Sequence, residues 1–441
     1  MKILAYLLLA ACFFSAKAQD IFSLGQSVDY TLQHHPSLLV YDNNSRIARE
    51  KSTQSLSGYL PQVTASATLI DNIRLQTTVL PAGIFGPEPK AVQLGTKYNT
   101  NAGLDFSQTI YDQSKLTGIK ANKPYMIMTE LQKKQNQELL IYNTSTAYFQ
   151  VLIYQQQLAI LRSNKVKYEE MVKVLTYQYE KGMVLEKDVD RIKVNLNTTN
   201  YQIDDAAIKE QLAINTLKNA MGMPLENELV IRDSLHYEMF ADGLPKESLS
   251  LESLTEVKIN EQSIALQEIN VKIKQAAYLP TLNAVGKLAT QSLSNDFSDA
   301  FASWKGFTYV GATLSIPLTN GFKRKSMLKE EKLILDNNRS EFNINKENLK
   351  LRFENAKTAV GTAYSSYRSS EDNMVLAKKL LDVTDYQYQR GVVGLTDYLN
   401  DDSAYKTAQA NYINGLYNLM ISQLNYQKSQ GTLPDFINKL R

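Results

Sequence analysis

The sequence feature that most restricts the fold is an internal duplication. Residues 177–182 (YQYEKG) recur as residues 386–391 (YQYQRG) at an offset of about 209 residues. Residues 59–61 (YLP) recur as residues 278–280, and a further pair of similar segments lies between these two matches in each half. Matches in the same order and at nearly constant spacing indicate a chain built from two structural repeats.

We therefore expect two repeats with the same series of elements: a helix, two β-strands and a long helical hairpin. The first repeat is predicted at residues 19–222 and the second at residues 251–441. A divergent region at residues 223–250 is predicted to link them as an irregular belt.

The first eighteen residues predict export. Lys2 is followed by a short apolar run, and residues 16–18 (AKA) fit the small-x-small pattern of signal-peptide cleavage. A signal peptide over residues 1–18 is predicted, with cleavage between Ala18 and Gln19. An alternative is a lipoprotein box at residues 9–12 (LAAC), with Cys12 as the acylated residue. No later segment has about 18 consecutive apolar residues, so no transmembrane helix is predicted.

Two long stretches without proline predict unusually long helices. Residues 125–223 and 318–433 are rich in helix-forming residues, with apolar residues at steps of three and four. This spacing is typical of amphipathic, coiled-coil-like helices. A helix over residues 325–388 would be roughly 95 Å long at 1.5 Å per residue. The helices alone would be compatible with a solvated coiled-coil rod.

Each repeat also contains two segments in which apolar and polar residues alternate. These segments are residues 63–69, 101–107, 281–288 and 310–316. A period of two is typical of a transmembrane β-strand, with one face toward lipid and the other toward a lumen. The intervening residues 75–97 and 292–306 are predicted surface loops. Trp304, Phe307 and Tyr309 are expected to form an aromatic girdle at the membrane interface.

Four strands cannot close a barrel, and an open strand edge is not tolerated in lipid. If the strands are inserted in a membrane, several copies of the chain must share one barrel.

The amino-acid composition only excludes some functional classes. With 48 Lys and Arg against 45 Asp and Glu, a nucleic-acid partner is not expected. With three His and one Cys, no metal cluster, cofactor site or catalytic constellation is predicted.

Family resemblance is carried by the duplicated YLP segments, by residues 391–399 (GVVGLTDYL) with the partner turn at residues 182–189 (GMVLEKDV), and by residues 424–433 (LNYQKSQGTL). Together these segments resemble the TolC-like outer membrane efflux protein family. The resemblance covers essentially the whole mature chain. It implies a homotrimer with a shared β-barrel in the outer membrane and an α-helical tunnel in the periplasm. It also implies a periplasmic adaptor protein and an inner membrane pump as partners, with drugs, metal ions or secreted polypeptides as cargo.

The resemblance further implies a periplasmic gate at the turn of each helical hairpin. Asp397 matches a family position where carboxylates form a ring at the entrance, and the next acidic position is Asn400 here. Asp188 is the equivalent residue of the first repeat and is expected to accept a hydrogen bond from Tyr388 or a basic neighbour. The arginine that some members use as a lock corresponds to Val393. Helix capping is an alternative role for both aspartates.

The same turns are the expected docking site for the adaptor. The candidate residues are Gly182, Gly391, Val393, Gly394 and Leu395, and the glycines are expected to allow the tight turn.

Two other functional classes remain open at this point. A periplasmic coiled-coil adaptor or structural protein would have no pore, but adaptors carry one helical hairpin and a glycine-rich lipoyl-like domain that this sequence lacks. An enzyme is the third possibility, and no nucleophile–base pair or phosphate loop supports it.

Overall fold

A computed structural model of the chain describes residues 21–83, 86–232, 235, 237, 240 and 248–440. The predicted cleavage site at Ala18 and Gln19, and Cys12, lie outside the described residues. The chain divides into two compact units. The helical unit comprises residues 1–44, 129–260 and 341–441, and the sheet unit comprises residues 45–128 and 261–340.

The helices are long and follow the predicted order. In chain order they are α1 (Leu24–His34), α2 (Pro36–Ser57), α3 (Gln113–Ile119), α4 (Asn122–Glu180), α5 (Glu186–Met221), α6 (Thr255–Ala276), α7 (Lys323–Gln389), α8 (Leu395–Gln430) and α9 (Leu433–Lys439). Helices α4 and α7 contain 59 and 67 residues, several times the usual length of a globular helix. In the part of the chain that the structure describes, none of the helices has the length and apolarity needed to cross a membrane.

The strands include all four segments that the alternation predicts. In chain order they are β1 (Ile21–Phe22), β2 (Gln62–Asp71), β3 (Thr77–Leu80), β4 (Lys90–Gln93), β5 (Tyr98–Tyr111), β6 (Val230–Ile231), β7 (Thr281–Ser294) and β8 (Trp304–Ser315). Strands β2, β5, β7 and β8 form one antiparallel sheet in the order β2-β5-β7-β8. The first and last of these strands therefore lie at the two edges of the sheet.

The register of this sheet separates apolar from polar side chains. Val63 is opposite Phe106, and Leu104 is opposite both Ala65 and Leu288. Residues directly opposite each other share a face. One face of the sheet is therefore mainly aliphatic and aromatic.

The other face carries a continuous polar row across the strands. Thr64 is opposite Asp105, Asp105 is opposite Lys287, and Lys287 is opposite Tyr309. The Lys287 ammonium lies 3.1 Å from an Asp105 carboxylate oxygen. A charged pair on one face and aliphatic residues on the other match the predicted division into a lumen face and a lipid face.

Two expectations about the segments between the strands need correction. Residues 75–97 were expected to be a loop, but they contain the antiparallel hairpin β3–β4. Strand β7 continues to Ser294 and β8 begins at Trp304, so the connection is shorter than residues 292–306. Backbone pairing, which needs no alternation of side chains, extends these strands beyond the patterned residues.

The register also divides the predicted aromatic girdle. Trp304 is opposite Ser292 and lies on the apolar face of the sheet, together with Leu288. Phe307 and Tyr309 are opposite Ala289 and Lys287, so they lie on the polar face. The grouping of these three aromatic residues in one girdle is wrong, because Trp304 is an odd number of residues away from the other two.

The core of the helical unit is formed by buried side chains of helices α1, α4, α5, α7, α8 and α9. Tyr148 is fully buried in this core, and its hydroxyl donates to the backbone carbonyl of Arg232 at 2.5 Å. The parallel pairing of β1 with β6 attaches the linking region to the beginning of the described chain. The linking region is thus held to the first repeat by both backbone and side-chain hydrogen bonds.

Candidate functional site

The two helical hairpins turn through the same backbone geometry. Gly182 follows α4 with a φ of 71°, and Gly391 follows α7 with a φ of 70°. The backbone N–H of Met183 donates to Gln178, and that of Val392 donates to Gln387, at 2.8 and 2.9 Å. This is the left-handed ending that favours glycine at the end of a helix. The repeated glycines thus serve the tight turn.

The residue after each glycine is apolar and exposed. Met183 and Val392 occupy equivalent places in the two turns, and each is 71% exposed. Leu185 adds a third exposed apolar side chain at 60%. The two turns therefore expose apolar side chains at equivalent positions. The sequence alone did not indicate Met183 and Val392 as candidate residues.

Asp397 caps helix α8. Its carboxylate accepts a hydrogen bond from the backbone N–H of Gly394, the N-cap residue, at 3.3 Å. Asp397 is exposed, as is Asn400 one turn further along the helix. Asp188 lies in the first turn of α5, where a negative charge is favourable to the helix dipole. Asp397 therefore caps helix α8. Its exposure is compatible with the predicted position at the periplasmic entrance.

A compact apolar cluster joins the two hairpins below their turns. We call this cluster the tip core; its buried members are Tyr168, Leu175, Val189, Ile192, Leu381, Leu395 and Tyr398. They come from α4, α5, α7 and α8, so both repeats contribute to it. Leu395 is buried in the tip core, and its side chain is therefore not available to a docking partner.

Tyr388 packs against the tip core. Its ring stacks on that of Tyr398, with 5.4 Å between the ring centroids. Burial raises the pKa of Tyr388, and the negative charge of Asp188 raises it further. No hydrogen bond joins Tyr388 to Asp188 in the described structure, so the expected bond is replaced by a longer-range electrostatic contact.

A buried carboxylate links the two hairpins. Asp402 on α8 is 3% exposed. It accepts a hydrogen bond from the hydroxyl of Tyr168 on α4. The ammonium groups of Lys406 and Lys167 lie 3.2 and 3.4 Å from its oxygens. We refer to these four residues as the Asp402 cluster.

Burial dominates the electrostatics of the Asp402 cluster. It raises the pKa of Asp402, while the charge of Lys167 lowers it. Burial lowers the pKa of Lys406 to about 8, and the charge of Lys167 acts in the same direction. Breaking a buried, hydrogen-bonded charge pair is costly because it leaves an uncompensated charge. The Asp402 cluster therefore holds α4 and α8 together.

A second polar contact crosses between the hairpins. The guanidinium of Arg191 on α5 donates to the Thr396 hydroxyl on α8 at 3.0 Å. Val393, at the position where some family members carry an arginine, is half-buried. The arginine that bonds across the hairpins thus comes from the first repeat here.

Within the described ranges, His, Cys, Asp and Glu side chains do not assemble into a group that could hold a metal ion. The site consists of capped helix ends, an apolar tip core and two polar links.

Comparison with known proteins supports the resemblance. Residues 28–223 and 248–432 match the sequence model of the family described as "Outer membrane efflux protein". The chain is 22% identical over 432 residues to the outer membrane protein TolC of Vibrio cholerae serotype O1, covering 94% of this chain and 91% of that protein. It is 24% identical over 350 residues to TolC of Salmonella enteritidis, covering 76% and 69%.

The fold is shared with solved structures. The crystal structure of CusC superposes with a TM-score of 0.74 at 14% identity, covering 92% of this chain and 91% of that chain. The Campylobacter jejuni CmeC outer membrane channel superposes with a TM-score of 0.72 at 17% identity, covering 93% and 86%.

Proposed function

The chain belongs to the outer membrane efflux protein family and is an outer membrane channel of an export system, and we propose that it acts as a homotrimer with a periplasmic adaptor protein and an inner membrane pump. In this proposal the trimer conducts substrates from the periplasm to the exterior. Residues 1–18 are the signal peptide, residues 19–222 and 251–441 are the repeats, and residues 223–250 link them.

The unpaired edges of the sheet support a shared barrel. Strands β2 and β8 have no further partner strand among the described residues, and each is exposed along its whole length. In lipid an unpaired edge leaves backbone groups without hydrogen bonds. Pairing β8 of one copy with β2 of the next satisfies both edges, and three copies give twelve strands.

The two faces of the sheet support the orientation of this barrel. The apolar face, which includes Val310 at 87% exposure, faces lipid in the proposal. The polar face, with the Asp105–Lys287 pair, lines the lumen. This arrangement keeps charges in water and places aliphatic side chains in the hydrocarbon layer.

The contacts between the hairpins support a gate that opens when the hairpins separate. The Asp402 cluster and the Arg191–Thr396 bond hold the two repeats together. We propose that Asp397, Asn400, Asp188 and Tyr388 lie beside the entrance and narrow it. Opening then requires the polar links to break, and the adaptor supplies the compensating contacts.

The exposed turn residues support adaptor docking at the same place. Gly182, Gly391, Val393 and Gly394 form the two turns, with Met183 and Val392 exposed beside them. Each copy would therefore offer the adaptor two exposed apolar side chains, one at the same position of each turn. Because Leu395 is buried, we leave it out of the proposed docking surface.

The experiment that tests the channel assembly is the native mass of the full-length protein extracted from outer membranes with detergent. A trimer is expected. A monomer, or a protein released without detergent, would refute the proposal of a shared barrel and would favour a periplasmic coiled-coil adaptor.

Adaptor docking is tested by placing charges at the turns. We expect Met183→Asp/Val392→Asp to abolish export in cells that lack the native channel, while the trimer still inserts in the membrane. Ser369→Asp/Asn373→Asp adds the same charge to the exposed surface of α7 and should leave export intact. Full export by the first variant would exclude these turns from docking.

A further inference from the structure

The segment that connects β8 to the first turns of α7 is both apolar and basic. Directly after Ser315, the side chains of Ile316, Leu318 and Phe322 are 56%, 90% and 79% exposed. Phe322 also has a φ of 70°, which is uncommon for a residue other than glycine. Three exposed apolar residues in so short a segment are unusual for a surface in water.

The same segment carries cations without acids. Residues 316–329 contain Lys323, Arg324, Lys325 and Lys329, and no Asp or Glu. In the first turn of α7 such cations oppose the helix dipole, so they do not serve helix stability there. An anionic partner outside the helix would account for their position.

Of these cations, Arg324 is held in place by contacts within the sheet unit. The guanidinium of Arg324 donates to the carbonyl of Pro317 at 3.1 Å and lies 6.0 Å from the centre of the Tyr278 ring. These contacts hold the start of α7 beside the YLP segment that precedes β7. Lys323 and Lys325 are exposed and have no ion-pair partner among the described residues.

The equivalent connection in the first repeat has a weaker form of the same character. After Ile110 and Tyr111, which are 51% and 39% exposed, come Lys115, Lys120 and Lys123. The intervening Asp112 is used as the N-cap of α3, accepting from the backbone of Ser114 and Lys115. Both repeats thus leave the sheet through an apolar and basic connection.

We propose that residues 316–329 form a binding surface for anionic phospholipid headgroups at the periplasmic side of the outer membrane. The proposal rests on the orientation given above, in which the apolar face of β8 contacts lipid. Ile316, Leu318 and Phe322 continue that apolar surface beyond the strand. Lys323 and Lys325 then lie at headgroup depth, where basic residues bind anionic lipid.

The test uses tryptophan fluorescence of the full-length trimer in vesicles, with brominated phosphatidylglycerol or brominated phosphatidylcholine as quencher. The chain has one tryptophan, so Trp304→Phe/Phe322→Trp places a single reporter in the proposed surface. We expect quenching of this reporter by both lipids, with phosphatidylglycerol favoured at least about threefold at low salt.

The charge dependence is tested in the same reporter background. Lys323→Gln/Lys325→Gln should abolish the preference for phosphatidylglycerol. Lys357→Gln/Lys379→Gln removes the same charge elsewhere on α7 and should leave the preference unchanged. A preference that survives the first pair, or is absent from the start, would overturn the proposal.

Two outcomes separate this proposal from the orientation on which it rests. If brominated lipid quenches Trp304 in the wild-type protein but not the reporter at position 322, the sheet faces lipid and the headgroup surface is refuted. If Trp304 itself is not quenched, the proposed orientation of the sheet fails, and the headgroup surface fails with it.

Discussion

The hydroxyl of Tyr168 donates to the buried carboxylate of Asp402, and this bond joins α4 of the first repeat to α8 of the second. The two residues are 234 positions apart in the chain. Lys406, one turn after Asp402, adds its ammonium to the same carboxylate at 3.2 Å. The link between the hairpins thus depends on a carboxylate that both hairpins bury and that Tyr168 and Lys406 compensate.

Tyr168→Phe is expected to favour the open channel. The change keeps the ring in the tip core but removes a hydrogen bond to a buried charge, which is worth about 2 kcal/mol. The ratio of open to closed channels should rise roughly tenfold to a hundredfold. Single-channel recording in planar bilayers measures this ratio.

Tyr201→Phe is the control for this substitution, because Tyr201 is 72% exposed on α5. It should leave the open probability unchanged. Equal open probabilities for Tyr168→Phe and the wild type would show that the Asp402 cluster does not hold the gate.

Raising the pH is expected to stabilise the packed arrangement of the two hairpins, because it removes the buried positive charge of Lys406. The pKa of Lys406 is about 8 in the packed tip, below its ordinary value of 10.5. Between pH 8 and 10.5, Lys406 is protonated when the hairpins are separated but largely neutral when they are packed together. The packed arrangement therefore gains stability as the pH rises. The open probability should fall across this window, by up to roughly tenfold per pH unit. Recordings from pH 7.5 to 10 provide the test.

Lys406→Gln should remove this pH dependence, whereas Lys379→Gln, on the exposed surface of α7, should retain it. A wild-type open probability that rises with pH would contradict the assignment to Lys406.

Two substitutions at Asp397 separate helix capping from charge at the entrance. Asp397→Asn keeps an oxygen that can accept from Gly394, so the unfolding temperature should be retained while cation preference falls. Asp397→Ala should lower both, with a loss of about 1 kcal/mol of stability. Reversal potentials in a salt gradient report the selectivity. Unchanged selectivity in Asp397→Asn would leave Asp397 with the capping role alone.

Two glycines with nearly equal φ angles provide a matched test of packing. Gly182→Ala places a Cβ in open space, and only the left-handed backbone costs stability, by about 1 kcal/mol. In Gly222→Ala the Cβ would also lie 2.8 Å from the Cα of His35. This overlap should add a further 1–3 kcal/mol, roughly. Thermal unfolding of the extracted protein compares them, and equal midpoints would mean that the His35 backbone moves aside.

The orientation of the sheet predicts which aromatic residues contact lipid. Brominated lipid should quench Trp304, which shares the apolar face of the sheet with Leu288. In Trp304→Phe/Tyr309→Trp the only tryptophan lies on the polar face, and quenching should be several times weaker. Stronger quenching at position 309 than at position 304 would reverse the assignment of the two faces.

The sequence predicts the parts of the fold that depend on local periodicity. Alternation locates β2, β5, β7 and β8 because each has one apolar and one polar face. It misses β3 and β4, which have four residues each and lie among prolines and glycines. Strand ends are missed as well, because backbone pairing continues where the side-chain pattern stops.

The candidate site shows the same limit. The turns follow from glycine and from the duplication, and Asp397 follows from family resemblance. The Asp402 cluster was missed because Tyr168 reaches Asp402 only through tertiary packing. One signal was present in the sequence: Leu395, Tyr398 and Asp402 follow one helical face at steps of three and four, so Asp402 occupies an apolar position of the stripe.

The order β2-β5-β7-β8 has a consequence for biogenesis. In the proposed trimer, a copy that has not yet assembled carries two unpaired edges, which are templates for wrong pairing until another copy arrives. Completion of the barrel is then a reaction of higher order in chain concentration, and its rate falls steeply when synthesis is slow. A cell that makes too little of this protein would lose it to aggregation and proteolysis out of proportion to the shortfall, so the amount of finished channel would depend nonlinearly on expression.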